Sequence, residues 1–160
     1  MLNLTLICVG RMREKYYIAA FEEYAKRLSP YCKLSLIELS EVKTAQNPSK
    51  AEIKAALSKE AVEIYRHIPS GSYLVAMCIE ANQVSSEELA RIFFDKAGKG
   101  VSRLCFIVGS SFGLDEGLKQ RCDLRLSMSK MTFPHHLARV MLVEQLYRAV
   151  MINEKSKYHK

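Results

Sequence analysis

Arg103-Leu104-Cys105-Phe106-Ile107-Val108-Gly109-Ser110-Ser111-Phe112-Gly113-Leu114 joins an unbroken apolar run to a loop with glycines four apart. A short run rich in branched and aromatic residues, bounded by glycine, reads as a strand buried on both faces. Comparable runs lie at Leu2–Val9, Leu34–Leu39 and Tyr73–Ile79, with a shorter alternating one at Asp123–Ser127. Between them the spacing becomes helical: Ile18, Phe21, Ala25 and Leu28 in the first gap, and Ile53, Leu57, Ala61, Ile64 and Ile68 in the second. Each of these sets makes one apolar face of an amphipathic helix.

Start signals agree with that reading. Ser49 with Glu52 and Ser85 with Glu88 have capping-box spacing, in which a hydroxyl accepts an orphan backbone N–H and the carboxylate reaches back. A third helix is predicted from Ser86 to Ala97, ended by Gly98-Lys99-Gly100; Asp115 caps a short one through Arg121, and Pro134 opens a last one, in its first turn, to about Asn153. Strands and helices alternate throughout. That order predicts an α/β fold, a mostly parallel sheet with helices on both faces, spanning residues 1–160 as one domain. The polar residues Glu154 to Lys160 would ordinarily fray.

The 160 residues carry 24 Lys+Arg and 17 Asp+Glu, a formal excess of +7. With 49% hydrophobic and 26% charged residues, disorder and collagen-like fibres are excluded. A basic excess on a small domain points toward a polyanionic partner. No apolar run approaches the roughly 20 residues of a spanning helix, and Leu2–Val9 lacks a basic leader and a cleavage site, so a cytoplasmic protein without membrane association is expected. Five cysteines with no C-x-x-C pair read as reduced, structural thiols.

Ligands of open parallel sheets bind beyond the carboxyl ends of the strands. The Gly109–Leu114 loop is there, readable as a plain strand-to-helix turn or as a close backbone approach to a ligand. It is not a phosphate loop, since no G-K-[ST] follows, and no G-x-G-x-x-G follows the first strand. His135-His136 lacks partners at metal-ligand spacing, so no metal is expected. The serines lack a G-x-S-x-G setting. The last helix, Leu137 to Arg148, is apolar on nearly every side and must be buried against more than one neighbour, within the domain or across a dimer. Glu144 and Arg148 are spaced to pair along it.

Three segments carry a resemblance: Val108-Gly109-Ser110-Ser111-Phe112-Gly113-Leu114; Leu126-Ser127-Met128-Ser129-Lys130-Met131-Thr132-Phe133-Pro134-His135; and Ala138-Arg139-Val140 with Glu144-Gln145-Leu146-Tyr147-Arg148-Ala149. Together with Tyr158-His159-Lys160 they resemble the RlmH family, SPOUT-class methyltransferases acting on a pseudouridine of large-subunit ribosomal RNA. The resemblance runs from end to end. It implies a homodimer whose chains each carry a C-terminal trefoil knot, a feature no periodicity predicts. It also implies S-adenosyl-L-methionine as cofactor, held by Met77, Gly109, Met128, Ser129, Lys130, Met131, Thr132 and Phe133. Without it, Met77, Met128 and Met131 read as core filler. The chain departs from the family pattern in Met77-Cys78-Ile79-Glu80-Ala81, where relatives carry leucine, an acidic residue and later a glycine. Further departures are Ser110, where a second glycine is common, and Ser156-Lys157, which makes the tail more basic.

The implied reaction methylates the N3 imide nitrogen of the pseudouridine, with the assembled ribosome as the expected substrate, and needs help in removing a weakly acidic proton. The expected catalytic set is His159 to move that proton or donate to a carbonyl, Tyr158 to stack or orient the base, and Arg139 to supply positive charge. His135 is expected to fix its loop, and Lys15, Lys43 and Lys50 to contact phosphates. A non-enzymatic RNA-binding module and a flavodoxin-like nucleotide binder are the alternatives; the first predicts RNA affinity without cofactor binding, and the missing phosphate loop disfavours the second.

Overall fold

The computed structural model describes residues 1–159; Lys160, the last residue of the Tyr-His-Lys motif, lies outside the described residues. The elements alternate as β1 (Leu2–Val9), α1 (Lys15–Leu28), β2 (Cys32–Leu39), α2 (Lys50–His67), β3 (Tyr73–Met77), α3 (Ser86–Gly98), β4 (Arg103–Val108), α4 (Glu116–Arg121), β5 (Leu124–Leu126) and α5 (His135–Asn153). All strands run parallel in the order β2-β1-β4-β3-β5. The central position of β1 and β4 explains their unbroken apolar character.

Alternation along each strand feeds two separate cores. Leu4, Leu6 and Cys8 of β1 join Leu104, Phe106 and Val108 of β4 against Phe21 and Leu28 of α1, Phe93 of α3, and Leu142, Leu146 and Val150 of α5. Ile7 and Val9 face the other way with Cys105 and Ile107, meeting Ala61 and Ile64 of α2 and Leu118 of α4. Each fully buried large apolar side chain contributes about 1.5–3 kcal/mol, so both layers matter to stability.

Both capping boxes form. The Ser49 hydroxyl accepts from the Glu52 N–H at 3.2 Å, and the Ser85 hydroxyl from the Glu88 N–H at 3.1 Å, with each carboxylate returning to the serine N–H. Asp115 caps α4 by accepting from the Leu118 N–H at 3.0 Å.

Some boundaries differ from expectation. The β1 register begins at Leu2↔Cys32, which draws Cys32 and Lys33 into β2. β3 ends at Met77, because the Cys78 N–H turns to the Leu126 carbonyl at 2.8 Å and the chain then bends back through Ala81 N–H to Cys78 O. Pro134 is the cap of α5 and not a first-turn residue, its ψ of 136° being extended.

The apolar last helix finds its neighbours within the chain. α5 packs across α1 and α3, burying Leu142, Val143, Leu146, Ala149 and Val150, while Val140, Met141 and Tyr147 on its flank stay half-buried.

Candidate functional site

Three loops leave the carboxyl ends of β3, β4 and β5 side by side and enclose a cavity of about 730 Å³. Its walls come from Met77–Glu80, from Val108–Leu114, and from Met128, Ser129 and Met131 through His135. The volume falls within the usual range of small-molecule sites, roughly 300–1,000 Å³.

The loop after β4 is closed by its own turn, in which the Gly113 N–H donates to the Ser110 carbonyl at 2.9 Å. Gly113 has φ +89°, the left-handed region that glycine adopts without cost. A β-carbon on Gly109 would collide with the Gly113 carbonyl and come within 3.0 Å of Leu114 Cγ. Gly109 is thus required first by the chain's own backbone, and only through that by anything in the cavity.

Glu60 of α2 holds this loop from beneath. Its carboxylate accepts from the Ser110 hydroxyl at 3.1 Å and from the Val42 N–H at 3.0 Å, and it is only 5% exposed. Burial pushes its pKa up, opposed by these two hydrogen bonds. Ser111 adds a second tie, donating to Glu41 at 3.0 Å. Glu60→Ala would leave the Val42 and Ser110 donors without their acceptor; a loss of about 1–3 kcal/mol is expected from the denaturant midpoint. Glu60 lies on the stripe Ala56, Glu60, Ile64 that α2 buries. A lone carboxylate at helical spacing among core positions was the signal by which the sequence could have disclosed it.

The loop after β5 is built from serines. Ser127 Oγ donates to the Ser129 carbonyl at 2.9 Å, and Ser129 Oγ accepts from the Met131 N–H at 3.0 Å. The Ser127 N–H donates to the Asn82 carbonyl at 3.0 Å, which ties this loop to the one after β3. On that side Lys119 reaches Glu80 at 2.6 Å; the hydrogen bond from Lys119 holds the Glu80 carboxyl below its usual range. Cys78 also lines the wall, its thiol pushed up to about 11 by burial and so uncharged at neutral pH.

Of the residues expected to hold a cofactor, Met77, Gly109, Met128, Ser129, Met131, Thr132 and Phe133 line this one cavity, while Lys130 is exposed beside it. Phe112, Glu80, Lys119 and His135 also line it, and sequence reasoning assigned none of them to it. Phe112 and Met131 stand exposed at its mouth.

The expected catalytic residues are placed elsewhere. Arg139 is fully buried. Its Nη1 donates to Glu38 at 2.8 Å, and its Nη2 to the Gly10 carbonyl at 2.8 Å and the Val9 carbonyl at 3.3 Å. Glu38 also accepts from the Met12 N–H at 2.9 Å. The guanidinium therefore anchors the carboxyl ends of β1 and β2 to α5, and the role of supplying charge to a substrate, expected from sequence, is corrected to that of a buried anchor. Tyr158 and His159 lie against helices and not in the cavity wall: the Tyr158 hydroxyl donates to Glu144 at 3.1 Å, its ring meets Tyr147 edge-on, and His159 Nε2 lies 2.7 Å from Glu87 on α3. Glu144 also pairs with Arg148 at 2.6 Å, as the spacing predicted.

Among the described residues, no group of three His, Cys, Asp or Glu side chains is placed to hold a metal ion. No helix among them is long and apolar enough to cross a membrane.

The parallel α/β sheet with a cavity at its strand ends fits a SPOUT methyltransferase, and the family described as "Predicted SPOUT methyltransferase" matches residues 2–159. Relatives named "Ribosomal RNA large subunit methyltransferase H" match over 99% of this chain and 100% of their own length: 45% identical in Clostridioides difficile (strain 630), 44% in Clostridium novyi (strain NT) and 43% in Bifidobacterium adolescentis. Within that class, the chain belongs to the RlmH family.

Proposed function

We propose that this chain is an S-adenosylmethionine-dependent methyltransferase that modifies N3 of a pseudouridine in large-subunit ribosomal RNA. It acts as a homodimer in the cytoplasm, on the assembled ribosome, with residues 1–160 as one domain and α5 threaded as a trefoil knot. The observation that carries this reading is the single cavity on which the three strand-end loops converge, in a chain whose full-length relatives are named as ribosomal RNA methyltransferases.

The walls fit the cofactor's chemistry. Met77, Met128 and Phe133 give an apolar slot for the adenine, and the backbone of residues 128–133 offers donors and acceptors without competing charge. Lys119, the one lysine or arginine in the wall among the described residues, is already paired with Glu80. A cationic sulfonium therefore meets no uncompensated positive charge, and the pair offers one charge of each sign to an amino-acid end. S-adenosylmethionine, when bound, supplies an electrophilic methyl carbon. The chain's part is to hold the acceptor nitrogen in line with it and exclude water. Phe112 and Met131, exposed at the mouth, are suited to stack a base delivered from outside.

Exposed Arg11, Arg13, Lys15, Lys43 and Lys130 stand on the same edge as the mouth, and none forms an ion pair among the described residues. Nearby carboxylates are engaged by neighbours, Glu14 by His136, Glu38 by Arg139 and Glu41 by the Ser111 hydroxyl, with Glu41 itself still exposed. The rim therefore presents cations to phosphates. Lys15 opens α1, where a cation is unfavourable to the helix dipole; the first turn carries no acidic residue, and only the N-cap Glu14 adds a carboxylate at that end.

Since Tyr158 and His159 lie off the cavity of their own chain, the tail acts on substrate across the homodimer, in the partner's cavity. A variant ending at Ser156 is expected to bind cofactor normally and to lose turnover by roughly 100-fold or more, the scale of a lost proton-transfer or orienting group; full turnover would remove the tail from the mechanism.

The test of the function is methyl incorporation into ribosomes from cells lacking this activity, with free ribosomal RNA in parallel and mass spectrometry of the digested nucleosides. N3-methylpseudouridine appearing from ribosomes is the expected result. RNA binding without any methylated nucleoside would favour a non-enzymatic module.

A further inference from the structure

The cavity wall contains one imidazole. Building on the methyl-transfer reading above, we infer that His135 accepts the N3 proton of the target base. His135 is the first residue of α5 and lines the cavity. Each of the other three histidines has a polar partner: His67 the Glu63 carbonyl, His136 the Glu14 carboxylate and His159 the Glu87 carboxylate. His135 makes no hydrogen bond to any other described residue, and neither ring nitrogen is a sealed, unpartnered atom. The ring is therefore left without a polar partner among the described residues while it lines the cavity.

Gly10 makes room for the ring. A β-carbon there would press to 3.2 Å from His135 Nε2, and the residue has φ +91°, so both space and backbone call for glycine. The charged and titratable neighbours are His136 and Arg139 on α5, Glu14 before α1 and Glu41 after β2. Burial, followed by His136, holds the imidazole below the ordinary histidine range, with the two carboxylates opposing. A neutral ring with a free lone pair is the form a base needs.

The other ionisable groups in the wall serve poorly. Glu80 is held as a carboxylate by Lys119, Lys119 is itself paired, and the Cys78 thiol stays protonated. In the step, the N3–H bond breaks and its proton passes to a His135 ring nitrogen. The electron pair left on N3 bonds to the methyl carbon, whose bond to sulfur breaks with its pair retained by sulfur. His135 afterwards releases the proton to water.

His135→Asn and His135→Gln in the full chain test this. Single-turnover methylation of ribosomes should fall by roughly 10²- to 10⁴-fold, with calorimetric affinity for S-adenosylmethionine unchanged. The native rate should rise with pH through the imidazole titration and level off, whereas the variants' rate should keep rising with hydroxide, and added imidazole should restore part of it. Independently of activity, NMR of the native protein's imidazoles should show His135 shifting on addition of S-adenosylhomocysteine while His67 stays in place. Near-native rates and pH profile in the variants, cofactor affinity lost along with rate, or a His135 resonance indifferent to S-adenosylhomocysteine would each overturn the assignment. Absence of any methylation by the native protein would instead remove the parent reading, and this one with it.

Discussion

Arg139→Met is expected to destabilise the chain by about 3–5 kcal/mol, since it takes a donor from three acceptors at about 1–3 kcal/mol each, lowering the thermal midpoint by roughly 10 °C or more. Three separate groups lose a donor: the Glu38 carboxylate, which keeps the Met12 N–H, and the carbonyls of Val9 and Gly10. Arg139→Lys is expected to recover little, because one ammonium cannot reproduce the planar fork that spans acceptors on two strand ends. The consequence reaches the cavity. Gly10 borders His135, and Arg139 sits one turn beyond His135 on α5, so a loosened anchor frees the helix start that forms the cavity wall. Calorimetric melting separates this account from a catalytic one: a substrate-contacting arginine would leave the midpoint unchanged and reduce turnover alone.

Gly109→Val should eliminate measurable S-adenosylmethionine binding. The new β-carbon lands on the Gly113 carbonyl, a backbone group that cannot rotate aside. The loop has little freedom to retreat, since Ser110 is tied to Glu60, Ser111 to Glu41, and Leu114 is buried in the α2–α4 core. Overpacking of this kind costs about 1–3 kcal/mol per site and more when backbone must move, and here the movement displaces one wall of the cavity. Gly109→Ala should show the same defect in smaller measure. Titration calorimetry of both variants, with circular dichroism to confirm folding, checks this; undiminished affinity in Gly109→Val would remove the β4 loop from the site.

Much of the fold was readable because it rests on repeating local rules. The unbroken run at Leu104–Val108, the helical spacing of Ile53 to Ile68 and the serine–glutamate pairs each report a property visible within a few residues, and each element formed close to its expected span. The cavity's loops were legible in the same way. What escaped were partners distant in sequence. Glu60 meets Ser110 across fifty residues, and Arg139 meets Glu38 across about a hundred; local pattern says nothing about which carboxylate a buried arginine will find. Arg139 therefore read as a free cation near the reaction, whereas the Gly109 loop, readable as a plain turn or as a close approach to a ligand, is packed first against its own backbone. His135 went the other way. Its neighbour His136 took Glu14 and left His135 facing the cavity, a choice between adjacent residues that only the rotation of α5 determines.

The proposed seat of the methyl donor is the cavity shared by Gly109, Met128, Ser129, Met131–Phe133 and the Glu80–Lys119 pair. Titration of the native protein with S-adenosylmethionine tests it most directly. Saturable binding of one molecule per chain, displaced by S-adenosylhomocysteine, is the predicted result; a flat titration at saturating ligand concentrations would contradict it.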